Sequence, residues 1–209
     1  MRKWTSLGLA IAATAMAATQ VAAQQASPSW NGFYAGLNAG GMFGNTSGSV
    51  PGPAGPIGFS GTGSGFVGGG QAGYNYLLGP VVLGGEIDFQ GSTFAAGVNG
   101  GGAFGPFSTT ERMPWFSTMR ARVGYAVGSV MPYITGGAVW GQRSIDGPIS
   151  ASANYWTWAA GGGIEGFITE RWSMKAEYLY MGTPSTSLLP GSNETASNNL
   201  VRVGVNYHF

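Results

Sequence analysis

Apolar and polar residues alternate with a period of two along most of this chain, which predicts strands rather than helices. The pattern is cleanest at the end: Val201, Val203, Val205, Tyr207 and Phe209 lie on one face, and Arg202, Gly204, Asn206 and His208 on the other. Seven earlier segments repeat it. Residues 30–44 set Phe33, Ala35, Leu37, Ala39 and Phe43 against Tyr34, Gly36, Asn38 and Gly40. In residues 65–77, Phe66, Ala72, Tyr74 and Tyr76 oppose Gln71 and Asn75; in 81–92, Leu83, Ile87 and Phe89 oppose Glu86, Asp88 and Gln90. Residues 115–126 carry Trp115, Met119, Val123 and Tyr125 opposite Arg120 and Arg122. The alternation is less regular over 130–143, read here with Pro132, Ile134, Ala138 and Trp140 on the apolar face. Trp156, Trp158, Ala160, Ile164 and Ile168 oppose Thr157 and Glu165 in 155–168, and Trp172, Met174, Ala176, Tyr178 and Tyr180 oppose Lys175 and Glu177 in 172–181.

Eight strands emerge, and their connections alternate in length. Residues 45–64, 93–111, 144–154 and 182–198 are rich in glycine, serine and proline and read as long loops, whereas 78–80, 127–129 and 169–171 read as tight turns. An even-stranded membrane barrel has this rhythm, with short turns and both termini at its periplasmic end. A soluble sandwich has no reason to sort its connections so cleanly. The fold class expected is therefore all-β, an eight-stranded antiparallel up-and-down transmembrane β-barrel. Gly63, Gly65 and Gly68 match a dinucleotide-binding spacing, but no helix pattern follows them, so they read as strand glycines.

Charge placement strengthens the membrane reading. Glu86 with Asp88, Arg120 with Arg122, and Lys175 with Glu177 are three pairs spaced by two, each opposite the apolar face, and Glu165 and Arg202 obey the same rule. Arginine or lysine facing lipid at mid-membrane would cost about 2–4 kcal/mol, so this face is expected to line the lumen. Four acids and four bases cancel there. A tube of eight strands is narrow enough for side chains to fill, and ions so confined need partners. Antiparallel matching of depth places Glu86 and Asp88 opposite Arg120 and Arg122, Glu165 near Lys175, and Glu177 near Arg202. The inward glycines Gly36, Gly73 and Gly163 are expected to make room for these long side chains. Aromatics form two girdles: Tyr74, Tyr76, Tyr125, Trp172, Tyr207 and Phe209 toward the short turns, and Phe66, Phe89, Trp115, Trp140, Trp156 and Tyr180 toward the long loops.

Composition agrees. Only 8% of the 209 residues are charged, against roughly 25% in ordinary soluble domains, and there are 39 glycines. No apolar run reaches the ~18 residues of a spanning helix, so a membrane reading rests on strands. Residues 1–23 read as a cleaved secretory signal: Arg2 and Lys3 at the start, an apolar stretch from Leu7 to Ala18, and Val21-Ala22-Ala23 before a mature start at Gln24. Residues 24–209 form the barrel domain. The formal charge of +1 suggests no nucleic-acid partner, and the absence of cysteine excludes disulfides and thiolate metal sites. No catalytic, cofactor-binding or metal-binding residues are expected: the one histidine, His208, has no candidate nucleophile near it in sequence. Hence the chain is not expected to be an enzyme.

Several segments together resemble a family. Trp30-Asn31-Gly32-Phe33-Tyr34-Ala35-Gly36, Gly68-Gly69-Gly70-Gln71-Ala72-Gly73-Tyr74-Asn75, the stretch 120–137 with Met131-Pro132-Tyr133, Lys175-Ala176-Glu177-Tyr178, and the closing 201–209 are similar to small porin-like outer-membrane proteins of alphaproteobacteria. The resemblance implies an OmpA-like barrel in the bacterial outer membrane, in contact with outer-membrane lipid and lipopolysaccharide, with four long loops extracellular. It also implies that Phe209, with Tyr207, forms the C-terminal signal read by the barrel-assembly machinery. A structural or porin-like role follows, with a narrow charge-paired lumen and at most weak diffusion of small solutes. The alternative is a surface adhesin or receptor acting through the loops.

Overall fold

The computed structural model describes residues 29–52, 55–102, 105–146, 150–184 and 193–209. The expected leader, residues 1–23, and the mature start at Gln24 lie outside them. Eight strands, β1 (Gly32–Val50), β2 (Ile57–Leu78), β3 (Val81–Gly102), β4 (Gly105–Tyr125), β5 (Val130–Asp146), β6 (Ala151–Phe167), β7 (Trp172–Met181) and β8 (Asn193–His208), pair with their sequence neighbours. Antiparallel pairing of β1 with β8 closes the sheet into a barrel. Closure satisfies every edge, which a sheet in hydrocarbon requires. The short turns carry glycines at positive φ, Gly79 at 59° and Gly128 at 61°, a backbone that other residues rarely adopt.

The two faces divide as the alternation predicts. Large apolar side chains stand outward and exposed, Leu37 at 73%, Phe66 at 79% and Ile134 at 69% among them. On so small a protein, apolar exposure that continuous marks a surface built for lipid rather than water. β5 has Pro132 and Ile134 outward and Met131, Tyr133 and Thr135 buried. The band has an upper limit. Beyond Phe43 on β1 the outward residues are Asn45 and Ser47, and before Phe66 on β2 they are Ser60, Thr62 and Ser64. From Phe33 to Phe43 the apolar stretch matches the about 9–11 tilted residues that cross a bilayer.

Most of the residues read as long loops are corrected to strand; of 182–198, residues 182–184 lie outside the strands as expected and 185–192 outside the described residues. The β1–β2 ladder continues without a slip from Asn45↔Thr62 to Val50↔Ile57, and β3 pairs with β4 as far as Gly102↔Gly105. β5 and β6 likewise pair through Ile145↔Ala151, and β8 begins at Asn193. Glycine, serine and threonine in these segments erase the apolar alternation, because their outward face meets water. Backbone pairing needs no apolar face, and the extensions of β1, β2 and β3 have a neighbouring strand on both sides.

Candidate functional site: a layered lumen

Inward side chains fill the tube in layers. At the short-turn end Trp30, which precedes β1, folds into the mouth and is 3% exposed. Its indole N–H donates to the Gly128 carbonyl at 3.2 Å, and its ring packs 4.4 Å from that of Phe167. Val82, Met131 and Tyr133 complete this apolar cap.

Above the cap lies the ionic layer, and the structure brings Glu86, Asp88, Arg120, Arg122, Glu165, Lys175, Glu177 and Arg202 together, all buried. Arg120 of β4 reaches Glu86 at 2.5 Å and Asp88 at 3.0 Å on the adjacent β3, and Glu177 at 3.1 Å across the lumen on β7. Arg202 of β8 joins Glu177 at 2.7 Å to Asp88 at 2.9 Å, again bridging opposite walls. Arg122 donates to Glu165 at 2.6 Å. The expected pairing of Glu165 with Lys175 is corrected: the two are register partners on β6 and β7, but the Lys175 ammonium crosses to Glu86 at 2.9 Å. Arg122 already occupies Glu165, and Lys175 has the reach to serve the opposite wall. Cross-lumen bonds of this kind tie together strands that share no ladder.

Two tyrosines belong to this layer and were not singled out in the sequence. Tyr34 donates to Glu86 at 2.8 Å and accepts from Arg122 at 3.0 Å, while Tyr133 donates to Glu177 at 2.9 Å beneath the Arg122 guanidinium, 4.2 Å from its ring centre. They also correct the reading of the inward glycines. A Cβ on Gly73 would sit 2.4 Å from the Tyr34 ring, and one on Gly163 2.8 Å from the Tyr133 hydroxyl. The space serves tyrosines, not the charges directly; Gly36 instead yields to Asn206, whose Oδ1 would lie 2.2 Å from an added Cβ.

Above the ions comes a dry layer that the sequence reading missed. Met42, Val67, Phe94, Met113, Phe116, Val139, Leu179, Met181 and Leu200 pack together with no more than a few per cent exposure each. Leu179, Met181 and Leu200 continue the inward parity of Lys175, Glu177 and Arg202, so a signal was present. Phe94 keeps the inward parity of Glu86, Asp88 and Gln90 but falls in a segment read as a loop, and Met113 was hidden by the register shift between Arg112 and Trp115, which inverts parity on β4. Gly63 and Gly65 admit Phe94: a Cβ on Gly63 would lie 2.7 Å from its ring, and one on Gly65 2.4 Å from its backbone. Higher still, Arg143 donates to Glu111 at 2.7 Å and to Glu194, all within the extended barrel.

His208 meets a hydroxyl that its sequence neighbourhood did not reveal. Its Nε2 lies 3.0 Å from Ser173 Oγ and 3.5 Å from Glu165. A nucleophilic triad needs the two ring nitrogens to bridge serine and carboxylate. Here both partners face the same nitrogen, and Ser173 gives its proton to Glu165 at 2.6 Å. All three are buried behind Trp30 and Phe167, so the cluster seals the mouth. Among the described residues no group of three or more histidine or acidic side chains is placed to hold a metal ion. At the C-terminus Tyr207 and Phe209 stack edge to face at 5.2 Å on the outer wall, and the Phe209 amide donates to the Phe33 carbonyl at 3.0 Å.

A closed eight-stranded barrel with an apolar exterior and a filled interior defines a class, the small integral membrane barrels. Residues 9–209 match the model of the outer membrane protein beta-barrel domain, and the chain belongs to that family. It is 34% identical to the 31 kDa outer-membrane immunogenic protein of Brucella melitensis over 98% of this chain and 97% of that one. It is 28% identical to the 25 kDa outer-membrane immunogenic protein of Brucella canis, over 96% and 93%. In fold it is similar to the crystal structure of Neisserial surface protein A, with a TM-score of 0.51 and 14% identity over 85% of this chain and 97% of that one. The protein is thus an outer-membrane β-barrel protein set in membrane lipid.

Proposed function

We propose that this outer-membrane barrel is a shut structural and surface-presenting protein, with the short turns and both chain ends periplasmic and the extended hairpins outside the cell. One observation carries the reading: two unlike seals stacked in one lumen. The ionic layer leaves no bare charge to attract a solute, and the dry layer above it gives an ion no hydration. Either alone would raise a steep barrier to diffusion, since uncompensated transfer of charge into an apolar region costs many kcal/mol. No catalytic role is assigned, since the serine that meets the histidine, Ser173, is fully buried. Phe209, at the end of β8, supplies the assembly machinery with its signal, and lipopolysaccharide surrounds the upper wall.

Planar-bilayer recording of the pure refolded mature protein tests this. The expected result is no reproducible conductance step; large regular steps would overturn it. The second reading, recognition through the hairpins, is favoured by how far the sheet extends beyond the apolar band. A binding assay with hairpin-shortened but assembled barrels separates the two.

A further inference from the structure

Outside the lumen, the charges and the wall leave something over. Among the described residues, every ionised side chain but two takes part in an ion pair; even the exposed Arg112 holds Asp146 at 2.9 Å. The exceptions are Glu170 and Arg171, adjacent in the short β6–β7 turn. Arg171 donates instead to the Tyr207 hydroxyl at 2.9 Å, and the charge it feels from a carboxylate is that of Glu170 beside it, with which it makes no ion-pair contact. Thr169 anchors the turn by accepting from the Trp172 amide at 3.1 Å.

The wall beside this turn is hollowed. Across β1, β8 and β7 the outward residues fall in rows: Ala35, Tyr207 and Trp172 at the rim, then Leu37, Val205 and Met174, then Ala39, Val203 and Ala176. Valines of β8 form a floor between the taller Leu37 and Met174. The result is an apolar groove of about 770 Å³. A second hollow of about 540 Å³, lined by residues 168–172 and Tyr207, opens at its rim. Both share Trp172 and Tyr207, whose rings stand edge to face 5.1 Å apart. A polar recess with one cation and one anion therefore leads directly into a greasy channel on a lipid-facing surface.

We propose that this composite site binds one zwitterionic phospholipid of the leaflet at the short-turn end. Its phosphate lies on Arg171 beside Tyr207, its ammonium on Glu170, and an acyl chain in the β7–β8–β1 groove. The charge pattern selects the headgroup: phosphate alone would need only the arginine, and the leftover carboxylate matches an amine. The assignment to the inner leaflet rests on the orientation proposed above; binding itself does not.

The test is native mass spectrometry of the folded mature protein in mild detergent, titrated with dioleoyl phosphatidylethanolamine, dioleoyl phosphatidylglycerol or dioleoylglycerol. The expected result is a one-to-one phosphatidylethanolamine adduct that Arg171→Ala weakens about tenfold or more, as loss of a charge-assisted contact should. Glu170→Gln should abolish the preference for phosphatidylethanolamine over phosphatidylglycerol, and Val203→Trp should displace the chain. Heat-modifiable migration checks that each variant is folded, and Arg171→Ala, outside the wall, covers failure of Val203→Trp to assemble. Adducts indifferent to both headgroup substitutions, diacylglycerol binding as well as phosphatidylethanolamine, or a protein dimer in place of the lipid would each overturn the site. Orientation is read separately: the chain has no cysteine, so Glu170→Cys can be probed on intact cells with an impermeant maleimide. Labelling would overturn the leaflet assignment while leaving the adduct data standing; protection supports it.

Discussion

At the scale of single residues, the lumen is governed by which atoms share a few cubic ångströms. Arg120 touches three carboxylates at once, on Glu86, Asp88 and Glu177. Arg120→Ala would leave three buried anions to Lys175 and Arg202, and removing one partner from such a cluster costs up to roughly 3–5 kcal/mol. The expected outcome is a lower denaturant midpoint for the heat-modifiable barrel, with conductance still absent because the dry layer persists. Gly65 makes the opposite demand. Its Cβ would press on the Phe94 backbone, so Gly65→Val should reduce the folded fraction in the same gel assay, whereas Gly97→Val, on the outer side of the sheet with open space around it, should not. The inward position of the charges was legible from parity alone. Their exact partners were not: Lys175 faces Glu165 along the ladder yet bonds across the tube, a choice set by reach and by Arg122 having taken the carboxylate.

At the scale of strands, the informative elements are β3 and β4. The irregularity of β4 between Arg112 and Trp115 turns Met113 inward where alternation from Phe116 and Arg120 would put it outside, whereas Phe94 on β3 keeps the parity of Glu86, Asp88 and Gln90. Pro114 lies within the β4 shift, the kind of site where a missing amide donor is tolerated. A one-residue slip flips the side chains beyond it, so the dry layer could not be read by counting at Met113, although it could have been at Phe94, Leu179 and Leu200. Its energetic importance can be measured. Phe94→Ala with Phe116→Ala should destabilise the barrel by several kcal/mol, Phe→Ala costing about 3–5 kcal/mol at each buried site. Combined with Arg120→Ala, the pair should produce measurable bilayer conductance where neither change alone does. Persistent silence in the triple variant, once folded, would show that the upper Arg143 cluster suffices to close the tube.

At the scale of the whole molecule, eight strands, closure and an apolar exterior followed from periodicity, turn lengths and the sorting of charges to one face. What could not be foreseen was height. Polar extensions such as 45–50 and 57–64 have the composition of loops, and only their partners on either side make them strands. An epitope tag placed at the β3–β4 tip, after Gly102, is expected to be stained by antibody on intact cells, and one at Gly79 only after permeabilisation. The reverse pattern would invert the proposed topology. Removing Phe209 is expected to lower the outer-membrane level of the protein, checked by immunoblot of fractionated cells.

The ladder between β1 and β8 runs from Tyr34↔His208 to Ser49↔Asn193 without interruption, so this seam remains sewn well above the apolar band. With the extended hairpins outside as proposed, a protease added to whole bacteria could bite at the crest of the β1–β2 hairpin. Even there a cut would release nothing: both halves would stay knitted to their neighbours, and the nicked barrel would migrate intact until boiled.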